Sequence, residues 1–308
     1  MDRYELIVIG GGPAGISCAT YSKRYGVDVC LFAEKIGGQV NYTDHIFSNP
    51  SAGHGVESQK LIARYLNALK YENVPIVSTR VKLVEKYGND IVVHHSHGVS
   101  IAGSLVVAVG RGPVKLALPI KGKISGGRVF YFTDFPYGKF VDSKKALIIG
   151  GGYSGIDMIE SLGQRFSEYV VVEKSDKLGS NEHRRKRLLS RNDISIFMNS
   201  EVKEVEESNR DLLVRILTPK GEDEHAVDAI FVAVGSVPDT SFIDCVDRNE
   251  LGEIIVKKSM AEGTMYETSE ENIFACGDCT DIIPKGFEIV AAGQGVQCAK
   301  VVAGKLGY

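Results

Sequence analysis

Leu6-Ile-Val-Ile-Gly10-Gly-Gly-Pro-Ala-Gly15 is an apolar run that ends in a glycine turn. The run suits a buried parallel strand, and residues from about Pro13 to Tyr25 suit a helix. Gly10 permits the tight turn, Gly12 lets the backbone approach a pyrophosphate, and Gly15 lets helix and strand pack closely. Free N–H groups at the helix start would then face the phosphates. A second strand over 27–33 ends at Glu34, 24 residues after Gly10. That is close to the spacing of about 20 expected for an acid that holds the ribose hydroxyls.

The pattern recurs. Ala146-Leu-Ile-Ile-Gly150-Gly-Gly-Tyr-Ser-Gly155 is again strand, glycine turn and helix, and Val170-Val-Val-Glu173 again ends a strand in an acid. One such turn is weak evidence, because glycine turns also serve purely structural ends. Two, each with its acid in place, are strong evidence for two bound dinucleotides. Ile101–Gly110 and Ala229–Gly235 are apolar strands running into Val-Gly turns, each followed by a proline, Pro113 or Pro238. Asn272-Ile-Phe-Ala-Cys-Gly-Asp278 is a further short strand, and helical periodicity resumes over 290–302. The N-terminal half therefore lacks the last strand of its own sheet. We expect an α/β chain of two Rossmann-like, three-layer ββα dinucleotide-binding domains, the second inserted into the first. The boundaries are expected at 1–113 plus 243–308 for one domain and 114–242 for the other.

Composition narrows the class. The 308 residues are 44% hydrophobic and 24% charged, as in a soluble protein, and too many for one small core. A net charge of −3 gives no argument for nucleic acid or a membrane surface as partner. No signal peptide opens the sequence and no apolar run has the length of a membrane span, so a cytoplasmic location is the expectation. Six cysteines are scattered along the chain. Only Cys276 and Cys279 have C-x-x-C spacing, and no second pair completes a zinc site, so no metal is expected.

With these motifs in hand, the sequence resembles the low-molecular-weight thioredoxin reductase family and the related thioredoxin-reductase-like ferredoxin–NAD(P) reductases. The resemblance runs over essentially the whole chain. It rests on Gly10–Gly15, Gly37-Gly38-Gln39, Gly150–Gly155, Gly235-x-x-Pro238, and Ala275-Cys-Gly-Asp278 followed by Ala291-Ala-Gly-Gln-Gly295. It implies FAD on the first turn. Gly10, Gly12, Pro13, Ala14 and Gly15 would take the pyrophosphate, and Glu34, with Lys35 beside it, the adenosine ribose. Gly38, Gln39 and Asn49 would lie near the ribityl and isoalloxazine, and Val81 would meet the adenine through its backbone. Gly110, Gly277 and Asp278 complete that site, with Asp278 accepting from the ribityl hydroxyls. Glu288 and Ile289 would face the flavin pyrimidine edge, although thioredoxin reductases often carry Gln at the first of these. The nicotinamide cofactor would take Gly150, Gly152, Tyr153, Ser154, Gly155, Glu173, Lys174 and Gly235. A homodimer is also implied, as is a rotating nicotinamide domain that gates hydride transfer.

Several positions depart from thioredoxin reductases. Their redox C-x-x-C precedes the second turn, where this chain reads Arg128-Val-Phe-Tyr-Phe-Thr-Asp-Phe-Pro-Tyr-Gly-Lys139 and has no thiol. Disulfide exchange needs a thiol pair there, so thioredoxin is not the expected acceptor. Cys276 and Cys279 could be a relocated pair, but two buried small residues flanking a flavin-binding Gly-Asp is the favoured reading. NADPH-dependent relatives place His-Arg-Arg after the second strand. Here Glu173-Lys174-Ser175 stands instead, with Gly179 at the later arginine. An acid there repels a 2′-phosphate and accepts from a free 2′-hydroxyl, so NADH is expected over NADPH. The run His183-Arg-Arg-Lys-Arg187, with Arg191 beyond, leaves three readings open: a late 2′-phosphate site, a docking patch for an acidic protein, or a solvated helix face. The ferredoxin-reductase relatives extend past the last helix to cover the flavin, whereas this sequence stops at Tyr308. The expectation is an open flavin face or a different cover, with Tyr42 a candidate to stack.

The chemistry expected is hydride transfer between nicotinamide and flavin, for which no side-chain acid or base is obligatory. Thr133 and Asp134 are candidates for positions near the flavin. Electrons would pass to or from ferredoxin, flavodoxin or a similar small redox protein. The alternatives are another acceptor (oxygen in an NADH oxidase, a quinone or a small disulfide) and a flavin-bound sensor without catalysis.

Overall fold

The computed structural model describes residues 2–46, 48–50, 55–125, 127–133, 143–209, 211–259 and 263–308. They form two compact units, Met1–Gly112 with Val237–Tyr308, and Pro113–Ser236.

In the first unit, β1 (Asp2–Ile9) leads through the glycine turn into α1 (Pro13–Arg24) and β2 (Val29–Phe32). Helix α2 (Ser58–Tyr71) and the short β3 (Ile76–Val77) follow. An antiparallel meander of β4 (Val81–Tyr87), β5 (Asp90–His95) and β6 (Gly98–Val107) brings the chain back beside β1. The second half of β6 runs parallel to β1 on one side and to the late strand Ile273–Ala275 on the other. The parallel order is thus β3, β2, β1, β6, then the late strand. The C-terminal helix Glu288–Leu306 packs on α1.

The reason for this layering is visible in β1. Leu6 and Val8 enter a core cluster with α1 and the C-terminal helix, whereas Ile7 and Ile9 enter a second cluster with the meander. A strand buried on both faces must be apolar throughout, as a central parallel strand is.

The second unit repeats the plan. Its strands are β7 (Val129–Tyr131), β8 (Ser143–Ile149), β9 (Phe166–Val172) and β10 (Ile194–Phe197), with α3 (Tyr153–Leu162) after β8 and α4 (Glu182–Leu189) before β10. A meander of β11 (Glu201–Ser208), β12 (Asp211–Thr218) and β13 (Gly221–Val227) returns the chain to β14 (Ala229–Val232), between β7 and β8. All five strands of that sheet are parallel. Ala146 and Ile148 face the helices, and Leu147 and Ile149 face the meander. Each unit is therefore the three-layer ββα domain expected, and the second is an insertion.

The second crossing comes earlier than expected, at Ser236/Val237 rather than at Phe242/Ile243, and Pro113 opens the inserted unit rather than closing the first. Residues 237–242 already belong to the first unit. Arg80 pairs with Asp239, the Val84 N–H donates to Phe242 O at 2.7 Å, and Ile243 bridges Val84. Among the described residues, no helix is long and apolar enough to cross a membrane.

Candidate functional site

The first glycine turn lies where β1 and β6 end side by side. Gly10 has φ +122°, and a Cβ there would strike the Ala108 carbonyl at the end of β6. A Cβ on Gly15 would strike the Gly10 carbonyl, so helix and turn can approach only without a side chain. Gly12 is different. Its φ is −82°, open to any residue, and the nearest heavy atom to a Cβ would be Gly38 Cα at 3.9 Å. Neither backbone nor packing within the chain demands glycine there. Gly12 is the N-cap of α1 but offers no side-chain acceptor, and the first turn of the helix holds no acid. The unsatisfied N–H groups of that turn face a space kept clear, which fits an external anion.

The second turn has the same construction. Gly150 has φ +105°, a Cβ on it would strike Ala233 O at the end of β14, and a Cβ on Gly155 would strike Gly150 O. Gly152, at φ −79°, caps α3 without a side-chain acceptor, and a Cβ there would meet no heavy atom within 4 Å. Tyr153 and Ser154 stand exposed at the start of α3. By contrast, α4 closes its own N-terminus, because Asn181 Oδ1 accepts from Arg184 N at 2.9 Å. Gly110 and Gly235 follow β6 and β14, with φ +65° and +107°, and a Cβ on either would meet nothing within 4 Å. Both turns thus have glycine-lined space at the carboxyl edge of a parallel sheet, where dinucleotides bind in folds of this kind.

Around the first turn, the segment after β2 folds over it. Gly37 N donates to Gly11 O at 2.7 Å, and a Cβ on Gly38 would lie 2.8 Å from Gly12 Cα. Gln39 Nε2 donates to Arg111 O at 2.8 Å, and Lys35 Nζ lies 4.9 Å from the Tyr42 ring centroid. Glu34 is largely exposed and lies 3.6 Å from Arg80, which neighbours Val81. Asp278 is half-buried; burial pushes its carboxyl above the usual range, against the Gly286 N–H that donates to it at 3.0 Å and the nearby Arg111 and Lys285. Gln294 on the C-terminal helix holds the Gly277 N–H at 2.8 Å. Glu288 is buried at the start of that helix, where it accepts from Tyr65 OH and, at 3.4 Å, from Asn49 Nδ2. Ile289 beside it is exposed. Asn49 and Glu288, 239 residues apart, are therefore brought together, as are Gly38 and Gly12.

At the second turn, Glu173 is folded inward. Its Oε2 accepts from Gly151 N at 2.6 Å, and its Oε1 accepts from Ser175 N at 2.8 Å and Ser175 Oγ at 2.7 Å. Burial raises its pKa, but the Ser175 and Gly151 hydrogen bonds outweigh burial and hold it below the usual glutamate range. Lys174 lies exposed at the start of the loop over 174–180. Of the basic run, Arg184 pairs with Asp157 and Arg187 with Glu160, both on α3, and Lys186 pairs with Glu182. Arg185 donates to loop carbonyls, and Arg191 pairs with Asp193. Each of these cations meets an acceptor within its own unit. That favours a helix face tied to its neighbours over a phosphate site or a docking patch.

All six cysteines are free thiols. Cys279 Sγ–H donates to Val107 O at 3.4 Å and Cys276 O at 3.3 Å, and burial pushes its pKa up to about 11. Cys276 meets Cys18 and Cys298 in the core under α1 instead. Thr133 lies two residues past β7 on the inserted unit, and Asp134 falls outside the described residues. Three polar groupings have no signal in the sequence: Tyr65 on Glu288, Arg80 between Glu34 and Asp239, and the buried Glu253 held by Arg111, Lys285 and Asn249. Apart from Asn249, four residues before Glu253, their members are far apart in the chain and follow no local pattern.

The comparisons with known proteins agree with this geometry. The pyridine nucleotide-disulphide oxidoreductase family matches residues 4–297. An NADH dehydrogenase of Bacillus subtilis is 29% identical over 302 residues, and an alkyl hydroperoxide reductase subunit of Staphylococcus aureus is 30% identical over 304. Each match takes in 97% of this chain but 58% of the relative, so the chain spans little more than half the length of these proteins. Among solved structures, thioredoxin reductase of Lactococcus lactis superposes with a TM-score of 0.85 at 24% identity, covering 97% of both chains. The bacillithiol disulfide reductase of Staphylococcus aureus gives 0.80 at 20% identity, covering 99% of both.

Proposed function

The chain belongs to the pyridine nucleotide-disulphide oxidoreductase family, a family of FAD- and NAD(P)H-binding oxidoreductases, and from that premise we propose that it is an NADH-preferring flavoenzyme that delivers electrons to an acceptor without a thiol relay. When bound, FAD supplies a centre that takes hydride from the nicotinamide and releases electrons singly or in pairs. The chain's own residues bind and orient. Gly10–Gly15 and Asp278 are assigned to the flavin cofactor, and Gly150–Gly155 to NADH.

One observation carries the choice of acceptor: no thiol pair is placed for exchange. The sequence has no cysteine between Cys30 and Cys245. The C-x-x-C pair at Cys276 and Cys279 is buried and turned apart, one thiol toward Cys18 and Cys298 and the other onto backbone carbonyls. A buried thiol whose pKa is raised holds little thiolate, the form that attacks a disulfide. A small one-electron protein such as ferredoxin or flavodoxin is the acceptor we favour. The B. subtilis relative, an NADH dehydrogenase by name, supports a second reading in which a quinone or oxygen takes the electrons. The proposed preference for NADH rests on Glu173, an acid at the end of the second strand, the position that in this fold meets a free ribose 2′-hydroxyl and would repel a 2′-phosphate. A cytoplasmic homodimer is proposed on the resemblance to thioredoxin reductases.

Anaerobic reduction of the FAD-loaded protein with NADH and with NADPH, followed by mixing with ferredoxin, flavodoxin, a quinone, oxygen and thioredoxin, tests each part. Bleaching by NADH with a kcat/KM well above that for NADPH is expected, then reoxidation by ferredoxin or flavodoxin. Preference for NADPH overturns the cofactor assignment. Rapid reoxidation by thioredoxin overturns the absence of a thiol relay, and reoxidation by the quinone or oxygen alone selects the second reading.

A further inference from the structure

The basic run that resembles a displaced phosphate site has one member whose direction is unusual. Arg185 sits in the first turn of α4, yet its guanidinium reaches back to the loop that precedes the helix. Its Nη1 donates to Ser180 O at 2.6 Å and points to Leu178 O at 3.5 Å. These two carbonyls bracket Gly179. The Gly179 N–H donates to Gly151 O at 3.1 Å, and a Cβ on Gly179 would lie 3.3 Å from Gly152 Cα. Leu178 is buried, and a Cβ on Gly151 would strike its side chain. The start of the loop is tied as well, since Ser175 holds Glu173 and the Asn199 N–H donates to Ser175 O at 3.0 Å. Helix α4, from which Arg185 reaches, is held to α3 by the Arg184–Asp157 and Arg187–Glu160 pairs. The loop therefore lies on the glycine turn, held by the Gly179 N–H on Gly151 O, by Ser175 on the Glu173 carboxylate, and by the Arg185 guanidinium on the Ser180 and Leu178 carbonyls.

We propose that Arg185 is a positioning residue for the nicotinamide cofactor. It holds the 174–180 loop closed on Gly151 and Gly152, so that the cradle and the Glu173 carboxylate are set before the cofactor arrives. Arg185 itself touches no cofactor. Its Nη1 is directed at the loop carbonyls Leu178 O and Ser180 O, and the role assigned to it requires no contact with a phosphate. A loop that is already ordered binds more tightly, because less freedom is lost on binding. Hydride transfer, once NADH is seated, does not depend on it. The proposal rests on Gly150–Gly155 being the nicotinamide site.

The FAD-loaded protein tests it through three variants, Arg185→Gln, Arg185→Lys and Lys186→Gln. Two readouts are needed, steady-state reduction by NADH and calorimetric binding of NAD+ in the absence of turnover. For Arg185→Gln, KM for NADH and Kd for NAD+ should rise about tenfold, the loss of one charged hydrogen bond, with kcat within about twofold of the parent. Arg185→Lys keeps the charge but not the planar guanidinium, so it should recover part of that loss while staying measurably weaker than the parent. Lys186→Gln, which removes an exposed neighbour of the same run, should leave both constants unchanged. Equal losses from Lys186→Gln would mean that the run acts by its field alone and would overturn the proposal. So would a loss confined to NADPH, which would make Arg185 a phosphate ligand. If Arg185→Gln does not fold, Arg185→Lys decides, and parental KM and Kd in that variant overturn the assignment. Failure of NADH to bleach the parent flavin would instead remove the underlying reading of the site.

Discussion

The two glycine turns are near copies in backbone and differ in the fate of their acids. In both, the glycine at the first position lies under the carbonyl that ends the neighbouring strand, that at the third position caps a helix with no side chain, and that at the sixth position admits the helix. Glu34 is exposed and paired across 3.6 Å with Arg80. Glu173 is bound on both oxygens by its own turn and by Ser175. On the proposed reading, the shared cradle would serve what two dinucleotides have in common, the pyrophosphate, and the loop after the second strand, by the surroundings it gives the acid, would separate one cofactor from the other.

Filling one cradle and leaving the other should have the largest effect. Gly15→Val would drive a side chain into Gly10 O, and we expect the protein to emerge without FAD. Gly155→Val makes the same clash at Gly150 O in the other unit. It should retain the yellow colour and lose NADH reduction, with an affinity loss of about 10- to 100-fold for an overpacking of about 1–3 kcal/mol. Flavin absorbance of the purified variants, then an NADH titration, reads both. Loss of FAD in Gly155→Val would show that the two turns are not independent.

A smaller effect sharpens the difference between the acids. Glu173→Gln keeps the shape and removes the charge. NADPH should improve about tenfold in kcat/KM, while NADH weakens by a few-fold, as the bonds from Gly151 and Ser175 lose their charged acceptor. The pH dependence has a definite sign. The folded pKa of Glu173 is depressed, so its carboxylate and the stability it contributes persist from high pH down to the ordinary glutamate value. They are lost only as pH falls through the lower, folded value. Glu173 should therefore stay ionised from about pH 8 to about pH 5, so affinity for NADH should stay flat there, and the change in discrimination should follow the 2′-phosphate, which titrates at about pH 6. A decline in NADH affinity centred near pH 6 would assign the ribose contact to another group.

The smallest expected effect is the one at the thiols. Cys279→Ser should reduce as fast with NADH as the parent and be reoxidised as fast, with a stability change of about 1 kcal/mol from a buried hydroxyl replacing a thiol. In the native protein, Cys18, Cys276, Cys279 and Cys298 should resist alkylation at neutral pH, and Cys245, which is partly accessible, should react first. Loss of turnover in Cys279→Ser would restore a thiol relay to the mechanism.

What the sequence makes legible is what short-range physics encodes. The apolar runs Leu6–Ile9 and Ala146–Ile149, their glycines and the acids that end the next strands define both sheets and both cradles. The insertion is legible too, because the strand that pairs with Leu105–Val107 of β6 comes only at Ile273–Ala275. The return point is read six residues late. Pro238 marks a turn, but the segment after it is fixed to the first unit by Arg80 and Val84, the first of them 159 residues from its partner Asp239. The same remoteness hides Tyr65 against Glu288 and Arg111 and Lys285 against Glu253. In the run over 183–187 the charges are plain in the sequence, and their directions are not. A helix face turns Arg184 and Arg187 to α3 and Arg185 to the loop, a distinction set by rotation about the helix axis.

The insertion also sets an order of manufacture. The inserted unit is one uninterrupted stretch with its own two core clusters, complete once residue 236 has been added. The first unit, although begun earlier, lacks its outer strand and the helix against α1 until residues 273–306 have emerged. Domains tend to fold as units as they leave the ribosome. Here the unit that starts first finishes second, and Gly277 and Asp278 reach their places only with that later segment. A nascent chain would thus own a nicotinamide site before it could hold a flavin, and in that interval a hydride would have nowhere to go.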